Sequence, residues 1–191
     1  MDNGTRLFWA ILVVLLGASA FFGVQGQRAR AEIVKASASV QTGELVTLVS
    51  VTDGDSIFVA NPGGEHVAIR ILGVKALEGS GKDPFAIYAN GATSALRRAL
   101  DGSPIRVLVG IPPKDKHGRF LATLFVDDRD VGLGLVGEGL ALVYTAYPFP
   151  AMQRYLDEQT RAKTDRKGLW GDPAAAARAE LLLGVWRKEA P

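Results

Sequence analysis

The chain has 191 residues, 48% of them hydrophobic and 22% charged, enough for one globular domain with a core and appendages and too apolar for disorder throughout. Its 22 basic and 20 acidic residues leave a net charge of +2, with a pI near 9.0. That balance excludes a polybasic arm, so binding of a polyanion would depend on local clustering. Cysteine is absent, which excludes disulfides and thiolate metal sites and leaves the redox compartment open.

Residues 7–24 form an apolar stretch with no charge, too hydrophobic all round for an amphipathic helix and nearly long enough to cross a bilayer. It is expected to be a membrane-targeting helix, a signal peptide or an anchor within residues 1–30. Ala18-Ser19-Ala20 resembles a small-residue cleavage site, but Phe21, Phe22 and Val24 prolong the apolar character and favour an uncleaved anchor. Arg6 precedes the stretch with Asp2 against it, whereas Arg28, Arg30 and Lys35 follow with Glu32. Counted by the positive-inside rule, these charges keep the domain cytoplasmic; read as a signal peptide, the same segment exports it to a bacterial-type cell envelope. Residues 25–43 are polar and rich in small side chains, and 31–43 read as a linker.

From Glu44 the pattern turns to short β-type runs: residues 45–51, 56–60, 67–74, 105–109 and 120–126. Asp53-Gly54, Asn61-Pro62-Gly63-Gly64 and Pro112-Pro113 supply the turn chemistry between them. Five strands, the first three joined by short connections, suit a small closed barrel better than a parallel sheet. Helices are expected at 84–100, with Pro84 at the start, and at 130–138 and 151–167, ending before Gly139 and Gly168. The fold class is α+β: a five-stranded barrel with packed helices over 44–170, and a helical extension over 171–191. The extension's helix, 173–187, carries an alanine run, Leu181 to Leu183 and Trp186, a face able to pack on the domain or on a protein partner.

Asp53-Gly54 is what an ordinary hairpin turn uses. Asp55 is harder to explain by turn formation, and an acidic group at a strand end is a reasonable cation ligand. Arg70 lies inside the apolar run Val67-Ala68-Ile69-Arg70-Ile71-Leu72, so its guanidinium must reach solvent or meet a partner. Arg119 follows Gly118 at a turn-to-strand junction, where a side chain can point into a site at the barrel rim. Two arginines suit a phosphodiester, because each planar guanidinium can bind two phosphate oxygens and stabilise the charge that builds on a pentacoordinate centre. Glu78 adds a carboxylate able to orient or deprotonate water. Gly79-Ser80-Gly81-Lys82-Asp83 reads as a loop whose lysine is either solvated or near a polyanion. Tyr147 and Phe149 could flank a base, whereas core packing is expected for Tyr144.

In order along residues 45–170 stand VTDGDSI, IRILGVKALE, PFAIYANGATSAL, DKHGRFLATLFV, VGLGLVGEGLALVY and RAKTDRKGLW. This succession, over about two thirds of the chain, resembles the staphylococcal nuclease (thermonuclease) family. The resemblance implies an OB-fold barrel and a calcium-dependent endonuclease that hydrolyses DNA and RNA by attack of water. By position it makes Asp55 the first calcium-binding aspartate, Arg70 and Arg119 the phosphate-binding arginines and Glu78 the general base. Lys116 matches a basic residue contacting a terminal nucleotide phosphate, and His117 stands where a tyrosine is usual. Tyr147 remains the candidate for stacking.

The departure lies at Lys75-Ala76-Leu77-Glu78. Lys75 occupies the position of the second calcium-binding aspartate, Ala76 that of a threonine-type contribution and Leu77 that of a proline. Exchanging a carboxylate for an ammonium changes the local charge by two units and should weaken Ca2+ binding severely. Lys75 is then either an internal cation paired with Asp55 and Glu78, or a solvated lysine that leaves a weak metal site behind. Three functions follow: a nuclease with an altered calcium site, a catalytically silent membrane-tethered module binding nucleic acid or a nucleotide phosphate, and an assembly factor using its C-terminal helix.

Overall fold

The computed structural model describes residues 38–79, 81, 83 and 85–189. The apolar stretch 7–24 lies outside them, as do Ser80 and Lys82 of the loop. Among the described residues no helix is long and apolar enough to cross a membrane.

Five strands close a barrel: β1 (Leu45–Asp53), β2 (Ser56–Ala60), β3 (His66–Ile71), β5 (Ile105–Lys114) and β6 (Phe120–Val126). The β1–β2, β2–β3, β1–β5 and β5–β6 pairs are antiparallel, and a parallel β3–β6 pairing, Ile69 opposite Phe120, shuts the ring. The interior follows from period-two alternation. Val67, Ile69 and Ile71 of β3 and Phe120, Ala122 and Leu124 of β6 are buried. Arg70, between two buried isoleucines, projects from the other face.

The expected strand 67–74 is divided in two. Gly73 sits at φ +75°, with the Phe149 ring against the place a Cβ would occupy, and only glycine fits that turn. The chain leaves the barrel there, and β4 (Val74–Ala76) pairs with β8 (Ala141–Val143) in a separate two-stranded ribbon, Lys75 opposite Leu142. Strand β8 has all three residues buried, and so offers no alternation for sequence reading to find. A further two-residue strand, β7 (Arg129–Asp130), pairs antiparallel with the end of β6.

Helix α1 (Ala86–Leu100) buries Ala92, Ala95, Leu96 and Leu100, a single helical stripe. It begins two residues later than the sequence suggests, behind Asp83, whose Oδ1 accepts the Phe85 N–H at 2.9 Å. Helix α2 (Val131–Gly137) is capped by Asp130, whose Oδ1 accepts from Leu133 N at 3.0 Å and from the Tyr155 hydroxyl at 2.8 Å. Burial, then the neighbouring Asp130 charge and that hydrogen bond, push the Tyr155 phenol far above its ordinary pKa. Helix α3 (Met152–Thr164) buries Tyr155, Gln159 and Ala162, and Gln159 Oε1 accepts the Val143 N–H at 2.8 Å. A 3-10 turn (Gly168–Gly171) leads into α4 (Pro173–Glu189).

The C-terminal helix packs one apolar stripe on the domain and leaves Leu181 and Val185 exposed. Ala175, Ala179, Leu183 and Trp186 join Leu77, Leu142 and Leu169 in one core cluster, and Trp186 meets Tyr144 edge to face at 5.0 Å. At the other end, residues 39–43, read as the close of a linker, are laid on the barrel: Gly43 N donates to Val107 O at 2.8 Å and Val40 is buried.

Candidate active site

The β1–β2 hairpin sets the site. Asp53 pairs with Ser56, so Gly54 and Asp55 form the turn itself, and Asp53 Oδ1 accepts the Asp55 N–H at 2.9 Å. Asp55 therefore lies in the turn rather than at the start of β2. A Cβ on Gly54 would come within 2.5 Å of the Ala76 Cβ and 2.6 Å of the Ala92 Cβ. Glycine lets the turn press beneath β4 and α1, which buries the Asp55 side chain to 3% exposure.

A buried carboxylate must be paired, and four donors face this one. Arg70 Nη1 makes a short bond to Oδ1. The Ser56 hydroxyl donates to the same oxygen at 2.9 Å, and Ala76 N donates to Oδ2 at 3.1 Å. Lys75 Nζ stands 3.9 Å from Oδ2. The register explains the first two, since Ser56 is the direct cross-strand partner of Arg70. The second Arg70 nitrogen, Nη2, donates to Val74 O at 3.0 Å, fixing the guanidinium across the Gly73 turn.

Arg119 is oriented from the β5–β6 turn. Its Nε and Nη2 grip Asp115 Oδ2 at 2.8 and 2.7 Å, while Asp115 Oδ1 accepts the backbone N–H groups of His117 and Arg119. Burial tends to raise the Asp115 pKa, but the Arg119 side chain and those backbone donors outweigh it and hold the carboxyl below its usual value. Arg119 Nη1 donates to Ser56 Oγ at 3.1 Å. The two arginines are thus joined through one serine and one carboxylate, Arg119 to Ser56 to Asp55 to Arg70. An arginine carries five N–H donors, so both guanidiniums keep donors for an incoming anion.

Lys75, 29% exposed, points inward. Its Nζ bonds Glu78 Oε1 at 2.5 Å, in addition to facing Asp55. Of the two positions open to this lysine from sequence, the structure has the internal cation. Glu78 itself is 79% exposed. Beside the pair opens a cavity of about 470 Å³, bounded by Asp53, Asp55, Lys75, Glu78 and Asp83 and, from α4, Arg178.

Lys116 and His117 are exposed at the tip of the β5–β6 turn, beyond the Asp115–Arg119 clasp. Tyr147 is 70% exposed, and its ring lies 6.0 Å from that of half-buried Tyr144. None of these three is among the residues bounding the cavity, and neither are Arg70 and Arg119, which adjoin it through Asp55. Sequence reading missed Ser56, Asp115 and Arg178 as participants. A serine directly after Asp55, and an aspartate four residues before Arg119, were the available signals for two of them.

The donor set does not suit calcium. Calcium takes six to eight oxygens, whereas both Asp55 oxygens already accept hydrogen bonds and the Lys75 ammonium stands 3.9 Å from Oδ2. Among the described residues no group of three His, Asp or Glu side chains is placed to hold a metal.

The model of the staphylococcal nuclease homologue family matches residues 68–172, more than half of the chain. The chain belongs to that family. It is 30% identical over 136 residues to a thermonuclease of Staphylococcus intermedius, covering 71% of this chain and 80% of that one. A thermonuclease of Staphylococcus hyicus is 24% identical over 163 residues, covering 84% and 96%. The endonuclease YncB of Bacillus subtilis is 30% identical over 133 residues, covering 65% and 61%. The family match begins two residues before Arg70 and takes in Lys75, Glu78 and Arg119, while α4 lies beyond its end.

Proposed function

We propose that this protein is a phosphodiester hydrolase acting on nucleic acid, with its calcium site converted into an internal ion pair. The observation that carries the reading is the pair of oriented guanidiniums, Arg70 and Arg119, tied through Ser56 and Asp55 beside the Lys75–Glu78 pair. Both arginines retain N–H donors for the non-bridging oxygens of a phosphodiester, where negative charge grows as water adds to phosphorus. Glu78, bonded to Lys75 through Oε1 alone, has Oε2 to take the proton of the attacking water. The P–O bond to the leaving sugar oxygen then breaks, and that oxygen takes a proton from solvent. Asp55 holds Arg70 in place and Asp115 holds Arg119. Its similarity to thermonucleases and an endonuclease supports this chemistry.

The test is cleavage of end-labelled single-stranded DNA by the full chain. Arg70→Ala and Arg119→Ala are each expected to slow cleavage by about a hundredfold or more, the typical loss of one transition-state donor. Cleavage unaffected by both substitutions would rule the site out.

One observation favours a second reading. The 2.5 Å bond from Lys75 to Glu78 occupies the proposed base, as in a module that binds phosphate without turning it over. Salt-sensitive binding with no cleavage, abolished by the double arginine substitution, would select it. We further propose that residues 7–24 attach the chain to a membrane, and flotation with phospholipid vesicles that is lost on deleting them would bear this out.

A further inference from the structure

We propose that Arg178, on the helix α4 that lies beyond the family match, binds a backbone phosphate flanking the scissile one; this rests on the nucleic-acid reading above. Helix α4 starts at Pro173, just after the matched residues end at 172. It is nevertheless built into the domain. Asp172 Oδ1 accepts the Ala174 N–H at 2.8 Å to cap it, and Asp172 Oδ2 accepts the Tyr88 hydroxyl at 2.8 Å, tying the helix start to α1. Lys163 Nζ and Glu180 Oε1 are 2.7 Å apart across to α3. Ala175 and Ala179 are buried against the domain, so Arg178, next to Ala179, stands at the margin of the buried face.

From that margin the side chain reaches the cavity that Lys75 and Glu78 also bound. Its Cζ lies 4.7 Å from the centroid of the Phe85 ring at the foot of α1. The ring steadies a guanidinium through its face, an attraction that consumes no N–H donor. Among the described residues Arg178 makes no salt bridge. Asp83, the neighbouring carboxylate of the cavity wall, has its Oδ1 engaged in capping Phe85. Arg178 is therefore a steadied cation with donors to spare, on a helix tied to α1, and it bounds the same cavity as the proposed base. A single strand entering the cavity would meet Lys75 near the reacting phosphate and Arg178 farther along its backbone. The helix thus makes the site selective for a polynucleotide over a minimal diester.

The experiment measures affinity of the full chain, by fluorescence anisotropy on ice, for a single-stranded oligodeoxynucleotide of about twelve nucleotides, within the span of an OB-fold site, and for a dinucleotide. Arg178→Ala is expected to weaken oligonucleotide binding by about tenfold. It should also lower the slope of log affinity against log salt by ~0.7, the loss of one phosphate contact on a single strand. Dinucleotide affinity should not change. Arg178→Lys should keep the slope and lose part of the affinity. Because Arg178 is exposed, both variants are expected to melt with the wild type, which a thermal scan checks. Unchanged oligonucleotide affinity and slope in Arg178→Ala would overturn the proposal and leave the hydrolase reading standing, as would an equal loss for both ligands. No affinity of the wild type for either ligand would overturn both.

Discussion

Replacing Lys75 with aspartate should create a calcium site. Lys75 Nζ lies 3.9 Å from Asp55 Oδ2 and 2.5 Å from Glu78 Oε1, so a cation drawn to those carboxylates meets the ammonium at about contact distance. A unit charge pair at ~4 Å is worth ~1 kcal/mol in water and ~4 kcal/mol under near-surface screening. Lys75 is 29% exposed and Glu78 79%, which argues for the weaker end of that range. The substitution changes the local charge by two units and a calcium ion carries two, so even the weaker end gives ~4 kcal/mol. Salt and the competing bonds already made to Asp55 reduce the gain, and about a hundredfold tighter calcium binding remains the expectation. Isothermal titration of calcium into wild type and Lys75→Asp measures it directly. The wild type should show no saturable site below about millimolar, the weak limit for protein calcium sites, and the variant should show one. Equal affinities, or a tight site in the wild type, would refute the reasoning.

Ser56→Ala removes the link between the two arginines and leaves Arg119 Nη1 without its 3.1 Å partner. The expected cost is about 1 kcal/mol in urea unfolding, together with slower cleavage than in wild type, and an unchanged rate would show that the linkage does not orient Arg119. Gly54→Ala forces a methyl against Ala76 and Ala92, and overpacking of about 1–3 kcal/mol is expected from the unfolding midpoint. Asp115 has its pKa lowered by folding, so its stabilising effect is complete above the ordinary value of 3.8 and fades as pH falls through its folded value. Thermal scans of wild type and Asp115→Asn should accordingly diverge at neutral pH and converge in acid; a constant gap in Tm would contradict the assignment.

The barrel was legible because its strands carry the signals that strands need. Residues 56–60 and 120–126 were read at their observed limits, since each run is bounded by turn residues and packs a regular alternation into the core. The ribbon of β4 and β8 was not legible. Nothing local separates Val74–Ala76 from the strand before it except Gly73, and that glycine's role depends on Phe149, distant in sequence. At the site, Asp55, Arg70, Lys75 and Glu78 do converge, and Arg119 joins them through Ser56. The sequence left open whether Arg70 was a structural partner or a phosphate ligand, and the geometry has it bonded to Asp55 with donors remaining. Lys116, His117 and Tyr147, like Arg70 and Arg119, are not among the residues that bound the cavity, and spacing along a turn does not fix the direction a side chain takes. Arg178 had no sequence signal: it reaches the cavity through the tertiary placement of α4, whose start is tied to Tyr88 of α1 through Asp172.

The central claim is that Glu78 handles water at a phosphate held by Arg70 and Arg119. It is tested most directly by comparing single-turnover cleavage and binding of single-stranded DNA by the full chain and Glu78→Gln. The expected result is cleavage by the wild type, a rate lower by about 10²–10⁴ in the variant, the usual contribution of a general base, and binding affinity changed by less than about threefold, well within one factor of ten. Equal cleavage rates in the two proteins, or binding by the wild type without cleavage, would contradict it.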